Sequence, residues 1–117
     1  MTRQLGLHVL GLPETPTEAA REFYKVHLPT VHDALDTSRA KSGDFTLTLI
    51  FPRADHSHRA WRLAAVQSLA REAAPIRING LAGDDEAALK AALAYLAGAP
   101  GITGQLLAVD GKSGEIG

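Results

Sequence analysis

Residues 63–111 read LAAVQSLAREAAPIRINGLAGDDEAALKAALAYLAGAPGITGQLLAVDG, and this stretch decides the fold. An Ala- and Leu-rich segment runs into Pro75, and the short apolar segment of residues 76–79 follows it. A second Ala-rich segment ends in the Gly-Ala-Pro-Gly sequence of residues 98–101, before a last apolar run at residues 105–109. Predicted helices and strands therefore alternate, which is typical of parallel strands joined by helical crossovers.

The residues before this stretch extend the alternation toward the N-terminus. Residues 5–12 form a short apolar run that is closed by Gly11 and Pro13, which predicts a buried strand. Residues 15–18, Thr-Pro-Thr-Glu, combine a capping threonine, a proline at the first helical position and a glutamate that can return the capping bond. We expect Pro29 to break or restart that helix and Gly43 to end its continuation.

A second strand and two further helices complete the pattern. Residues 45–51, FTLTLIF, are β-branched and aromatic and predict a buried strand. A helix from about residue 58 to residue 74 carries apolar residues, Trp61 among them, on more than one face. Acidic residues at positions 84–86 favour the start of another helix, which runs to about Ala97. We predict an α/β fold with about four parallel strands, in β-α-β-α-β-α-β order, in one domain that spans residues 1–117.

The composition limits the class of protein. The 117 residues are 45% hydrophobic and 21% charged, with a net charge of −1, so no overall charge favours nucleic acid or an anionic membrane as partner. There is no cysteine, which excludes disulfides and thiolate metal sites. No apolar run approaches the roughly 20 residues of a membrane span, and the first apolar run is too short for a signal peptide. We expect a soluble, cytoplasmic protein that binds neither nucleic acid nor membrane.

Two motifs resemble the C-terminal half of the short-chain dehydrogenase/reductase family. In that family a helix with a sequence like SLAxELAP leads into the sequence IRVN, and a later sequence TGQxLxVDGG forms the last strand. Residues 68–79 read SLAREAAPIRIN here and residues 101–111 read GITGQLLAVDG, with Lys112 in place of the final glycine. The resemblance implies a three-layer, doubly wound Rossmann-like fold, which we expect to be truncated to a half domain.

The resemblance also implies a cofactor site, which this sequence does not reproduce. The family places NAD(P) on a Gly-rich turn after its first strand, with the pyrophosphate at the following helix N-terminus. The chain contains no GxxxGxG sequence. We therefore expect no cofactor, and NAD(P) only if a second chain completes the site.

The catalytic residues of the family are replaced as well. The family uses a tyrosine as general acid, a lysine four residues later, an upstream serine and an asparagine on the preceding helix. Counting back from the SLAREAAP motif puts Asp55 at the tyrosine position and Arg59 at the lysine position, and His27 takes the asparagine position. A carboxylate at neutral pH cannot donate a proton as a phenol does. These three positions predict a degenerate site without catalytic residues.

Residues near these positions allow three other kinds of site: a metal site, an acid/base pair and an anion patch. His56 and His58, with Asp55 beside them, would supply metal ligands, but a metal site needs three or four converging groups and a solvated loop is the favoured interpretation. Asp55 with His58 or His27 would form an acid/base pair in a changed active site. Four arginines that would form an anion patch are interpreted as an ordinary charged surface: Arg53, Arg59, Arg62 and Arg71.

The predicted fold poses a problem at one sheet edge. In the family's strand order the first strand, between Leu5 and Leu10, would have an unpaired apolar edge, which soluble proteins avoid. The resemblance also implies that helices corresponding to residues 29–41 and 58–74 pack against a second subunit. We therefore expect a homodimer, or a partner protein, that binds through the Leu5 to Leu10 edge and the Trp61 helix.

Two functions follow from these expectations. The first is a non-catalytic short-chain dehydrogenase-like domain, a pseudoenzyme with a structural, oligomerisation or regulatory role. The alternative is an NAD(P)-dependent oxidoreductase or nucleotide-binding subunit that completes its site across a subunit interface and uses Asp55, His58 or Arg59.

Overall fold

The computed structural model describes residues 3–41 and 44–109, and one parallel sheet forms its centre. The strands, in spatial order as in the sequence, are β1 (Arg3–His8), β2 (Phe45–Phe51), β3 (Arg77–Ala82) and β4 (Leu106–Ala108). All three neighbouring pairs are parallel. The predicted α/β fold with four parallel strands is confirmed.

The connections between the strands are helical. They are α1 (Pro16–Glu22), a π-helical turn (Phe23–His27), α2 (Leu28–Arg39), a 3-10 turn (His56–His58), α3 (Arg59–Ala73) and α4 (Glu86–Ala97). None of these helices is both long enough and apolar enough to cross a membrane.

The helices lie on both faces of the sheet, as a three-layer fold requires. Leu47 and Leu49 of β2 belong to a core that includes residues of α2 and α3, whereas Ile50 belongs to a second core with Leu89 and Leu96 of α4. Successive side chains of a strand point to opposite faces, so α4 covers the face opposite to α2 and α3. Each strand nevertheless lies on the same side of the one before it in the sheet. Because α4 is on the other face, the β3–α4–β4 crossover has the hand opposite to that of the β1–β2 and β2–β3 crossovers.

Strand lengths differ from the sequence-based expectation because pairing decides them. β1 spans Arg3–His8 rather than residues 5–12, since its pairing with β2 runs from Arg3 opposite Phe45 to His8 opposite Ile50. The chain then leaves the sheet, and Gly11 adopts a φ of 74°, a conformation that glycine tolerates best. β4 has only three residues, shorter than the predicted 105–109.

Pro29 neither ends the helix nor restarts it after a gap. The chain continues from α1 to α2 through the π-helical turn, where the Leu28 N–H donates to the carbonyl of Phe23, five residues earlier. Proline has no N–H to donate and its ring clashes with the carbonyl four residues before it, so a wider turn accommodates it. α2 then ends at Arg39, and Gly43 lies outside the described residues.

Side-chain caps start two of the helices, and the one at Thr15 was predicted from the sequence. Thr15 Oγ1 accepts from the Glu18 N–H at 3.4 Å at the start of α1. Asp85 accepts from the Ala88 N–H at 2.8 Å at the start of α4. An oxygen acceptor at this position satisfies one of the amides that a helix leaves unpaired.

The two motifs that resemble the dehydrogenase family bind each other. Arg77 Nη1 donates to the carbonyls of Leu96 and Ala99, at 3.1 and 2.8 Å, and so binds the C-terminal end of α4. The buried Asn79 donates to the Ile102 carbonyl and accepts from the Gln105 N–H, both at 3.0 Å. The motif residues therefore attach the α4–β4 connection to β3, which is a structural role.

Candidate functional site

A cleft of about 420 Å³ lies beyond the carboxyl ends of β1 and β2. The segments that follow these strands, residues 12–14 and 52–55, line it together with His58 and Arg62. In open parallel sheets ligands bind at the carboxyl ends of the strands, which makes this cleft the candidate site.

Asp55 is the one of the three degenerate positions that lines the cleft, and it caps the 3-10 turn. Its Oδ1 accepts from the hydroxyl of Ser57 and, at 2.9 Å, from the Ser57 N–H. The hydroxyl bond first, and then the amide bond, lower the pKa of Asp55 below its usual 3.8. The residue is therefore an ionised carboxylate at neutral pH and cannot serve there as a general acid.

The cap predicts a pH-dependent effect of replacing Asp55. Because the pKa of Asp55 is lowered by folding, its contribution to stability is present above the unfolded pKa of about 3.9 and is lost as the pH falls through the folded pKa. Asp55→Ala is expected to be less stable than the wild type in urea unfolding at pH 7, with a difference that shrinks toward pH 3. Asp55→Asn, which keeps an oxygen acceptor without a charge, is the matched control. A wild-type-minus-alanine difference that is constant between pH 7 and pH 3 would contradict this assignment.

His58 is fixed in the core by both of its ring nitrogens. Its Nδ1 accepts from Trp61 Nε1 at 3.1 Å, and its Nε2 lies 2.8 Å from the Glu14 carbonyl oxygen. An indole N–H only donates and a carbonyl only accepts, so these partners assign a neutral ring with its proton on Nε2. His58 is 5% exposed, whereas its neighbour His56 is exposed. Over residues 3–41 and 44–109, no three His, Cys, Asp or Glu side chains are grouped to hold a metal ion.

The other two degenerate positions have contacts away from the cleft. His27 lies in the π-helical turn and stacks on Phe23, with ring centroids 6.2 Å apart. Arg59 begins α3, and its Nη1 donates to the carbonyl of Leu106 in β4 at 3.4 Å. In the described part of the chain, no hydrogen bond or ion pair joins Asp55 to His27 or Arg59.

Arg62 is the cleft residue whose role the sequence did not reveal. It is 4% exposed, its Nη1 donates to the Pro52 carbonyl at 2.8 Å, and its guanidinium lies 4.9 Å from the centre of the Phe51 ring. Burial lowers the pKa of Arg62, and the charge of Asp84 opposes that effect. An arginine in an apolar helix more often extends its charge to solvent, so the sequence held no signal for this burial.

The four arginines of the predicted charged surface are dispersed. Arg53 and Arg62 line the cleft, whereas Arg59 reaches β4 and Arg71 lies in the last turn of α3. The Arg53 N–H also donates to Asp84 at 3.1 Å, which brings a carboxylate beside the two cleft arginines. The interpretation as an ordinary charged surface agrees with the exposure of Arg53, Arg59 and Arg71, and it is wrong for Arg62, which is buried.

The open edge of β1 is the second candidate site. β1 pairs with β2 alone among the described strands, and a groove flanks it on each face of the sheet. The groove beside α2 has a volume of about 730 Å³, and the groove beside α4 a volume of about 520 Å³. The side chains of Leu5 and Leu7 are only half-buried, whereas those of β2 and β3 are almost all buried.

Trp61, the other predicted interface residue, packs inward. Its ring lies 5.7 Å from the ring of Phe23 and 5.8 Å from that of Phe51, between centroids. Its indole N–H donates to Nδ1 of His58. The ring is therefore part of the packing of α3 on the sheet, and the outer face of α3 presents smaller residues, such as Ala60 and Ala64.

Comparisons with known proteins agree with the geometry. A family model described as a short chain dehydrogenase-like protein matches residues 7–109, which include the last two residues of β1 and the whole of β2, β3 and β4. No curated protein and no solved structure matches the chain. The match covers most of the 117 residues, and the chain therefore belongs to the short-chain dehydrogenase-like family.

Proposed function

We propose that this chain is a non-catalytic short-chain dehydrogenase-like domain that acts by association, as a structural or regulatory homodimer. The observation that carries the proposal is the edge of β1, with half-buried Leu5 and Leu7 and a groove on each side. An edge strand with apolar flanks is a template for pairing with another chain. A second copy is one such chain, and closed two-fold dimers are the commonest oligomers.

The state of the degenerate positions supports the absence of catalysis. Asp55 serves as a cap and is ionised, His27 stacks on Phe23, and Arg59 binds a carbonyl of β4. Each side chain thus has a structural partner of its own. General acid catalysis on the family's pattern would need an acid and a cation in one cleft, and these residues do not provide that pair.

A second candidate is an NAD(P)-dependent oxidoreductase or nucleotide-binding subunit whose site is completed across an interface. The observation that favours it is the cleft at the carboxyl ends of β1 and β2, since two arginines, Arg53 and Arg62, line it. Arginine is well suited to bind phosphate groups. Against it stand Asp55, Asp84 and Glu14, whose negative charges lie in or beside the same cleft.

One experiment separates the two candidates. The purified protein is titrated with NADPH and NADH while the fluorescence of the reduced cofactor is followed, and its mass is measured by light scattering at the same concentrations. We expect a dimeric mass and no saturable change in fluorescence at micromolar cofactor. Saturable binding that Arg53→Ala weakens would favour the second candidate instead, and Arg71→Ala, at the end of α3, is the control for a general loss of charge.

A further inference from the structure

We infer that the groove between α2 and β1, here the α2 groove, receives a second copy of this chain around a two-fold axis that passes beside Thr37. The inference rests on the proposed association and assigns its geometry. The α2 groove has a volume of about 730 Å³, and Leu5, Ala34 and Phe45 supply apolar side chains to its walls.

The α2 side of the groove carries opposite charges on either side of one residue. Asp33, Thr37 and Lys41 all line the groove and are spaced four residues apart. Lys41 follows the end of α2 in a further turn, because its N–H donates to the Ser38 carbonyl at 3.1 Å. At a helical rise of 1.5 Å per residue, the acidic and basic residues are about 12 Å apart with Thr37 midway.

These two charges have no ion-pair partner in the described part of the chain. Neither the His32–Glu72 nor the Asp36–Arg39 ion pair involves them. An acidic and a basic group on the wall of an apolar groove are a pattern that an oppositely arranged surface would complement. The same groove of a second copy, turned by 180°, has its acidic and basic residues in the opposite order and so provides that surface.

A two-fold axis perpendicular to the sheet produces that match. It would run the two β1 strands antiparallel and place the two α2 helices antiparallel on the same face of the sheet. With Thr37 beside the axis, Asp33 meets Lys41 of the partner subunit, and Lys41 meets Asp33 of the partner subunit. Asp33 and Lys41 of the two copies would therefore form two equivalent ion pairs, related by the axis.

The backbone of β1 is directed suitably for this pairing. The N–H groups of Arg3 and Val9 donate to Asp44 and Ile50, on the β2 side. Backbone groups alternate along a strand, so the amides of Gln4, Gly6 and His8 point away from β2, toward the open edge. In the two-fold arrangement these amides would donate to the outward carbonyls of the second β1. The two sheets would then become one sheet of eight strands.

Charge reversal tests the axis. Asp33→Lys and Lys41→Asp are each expected to weaken the dimer at least about tenfold in sedimentation equilibrium, because each places two like-charged pairs at the interface. The double variant, which exchanges the charges, is expected to restore the wild-type dissociation constant to within about threefold. Asp36→Lys, an equally drastic change on α2 that does not line the groove, is the control and should leave dimerisation unchanged.

The outcomes separate this geometry from the proposed function. A wild-type monomer would overturn both. A dimer that neither single variant weakens, or that the double variant does not restore, would overturn the Thr37 axis and leave association through another surface. A second measurement, hydrogen exchange, should show the amides of Gln4, Gly6 and His8 becoming protected as the concentration rises through the dissociation constant, and unchanged exchange at these three amides would contradict the pairing of the β1 edges.

Discussion

Replacing Phe23 by alanine is expected to lower the free energy of unfolding by about 3–5 kcal/mol, the usual cost of deleting a buried phenylalanine. Phe23 is fully buried in the π-helical turn. Its ring lies 6.0 Å from that of Phe51 in β2 and 5.7 Å from that of Trp61 in α3, between centroids. One side chain therefore joins the first helical connection to the sheet and to α3, and its removal leaves a cavity among three elements.

Urea unfolding followed by circular dichroism measures this effect, and the adjacent residue provides the control. Tyr24 is 46% exposed, although its ring also contacts Phe23. We expect Tyr24→Ala to cost much less than Phe23→Ala, about 1 kcal/mol or less. Equal losses for the two variants would show that the aromatic cluster does not anchor the helical connection as described.

Replacing Asn79 by leucine is expected to lower the free energy of unfolding by about 2–4 kcal/mol. Asn79 is fully buried and makes one hydrogen bond to each end of the segment between Ile102 and Gln105. Leucine has a similar size but neither donates nor accepts, so a carbonyl and an amide lose their partners. Each unsatisfied buried group costs about 1–3 kcal/mol.

The position of the Asn79 effect is as informative as its size. We expect the amide of Gln105 to exchange faster with solvent in Asn79→Leu, because that N–H donates to Asn79 in the wild type. Gln67→Leu, on the exposed side of α3, is the control and should stay within about 0.5 kcal/mol of the wild type. A stable Asn79→Leu variant with unchanged exchange at Gln105 would refute the structural role of the motif.

The same bonds explain why the fold could be predicted from the sequence. The IRIN and TGQ motifs resemble a known family because Arg77 and Asn79 bind the end of α4 and the connection to β4. Thr103 adds to this contact by accepting from the Ile78 N–H at 3.0 Å. Such bonds require particular residue types at fixed spacing, and this requirement produces motifs that can be recognised in the sequence. They concern the packing of the fold, however, and say nothing about its chemistry.

The details that were not predicted depend on contacts distant in the sequence. The length of β1 follows from its pairing with β2, and the π-helical turn follows from the need to carry a helix past Pro29. The inward position of His58 depends on two partners, Trp61 three residues away and Glu14 forty-four residues away. No local pattern reports a partner so far along the chain.

The candidate site was predictable only in part, for similar reasons. The replacement of the family's tyrosine by Asp55 is visible in the sequence, and an aspartate two residues before Ser57 is a local signal for a capping turn. The separation of His27, Asp55 and Arg59 is a property of the tertiary structure. So is the burial of Arg62 against Phe51, which the apolar pattern of α3 does not distinguish from a solvated position.

Sedimentation equilibrium of the wild-type protein at micromolar concentration tests the central claim most directly. The account predicts a dimer, with twice the 12.4 kDa mass of the chain, that dissociates reversibly on dilution. A species of 12.4 kDa at every concentration in this range would contradict association through the open edge of β1, and with it the proposed function.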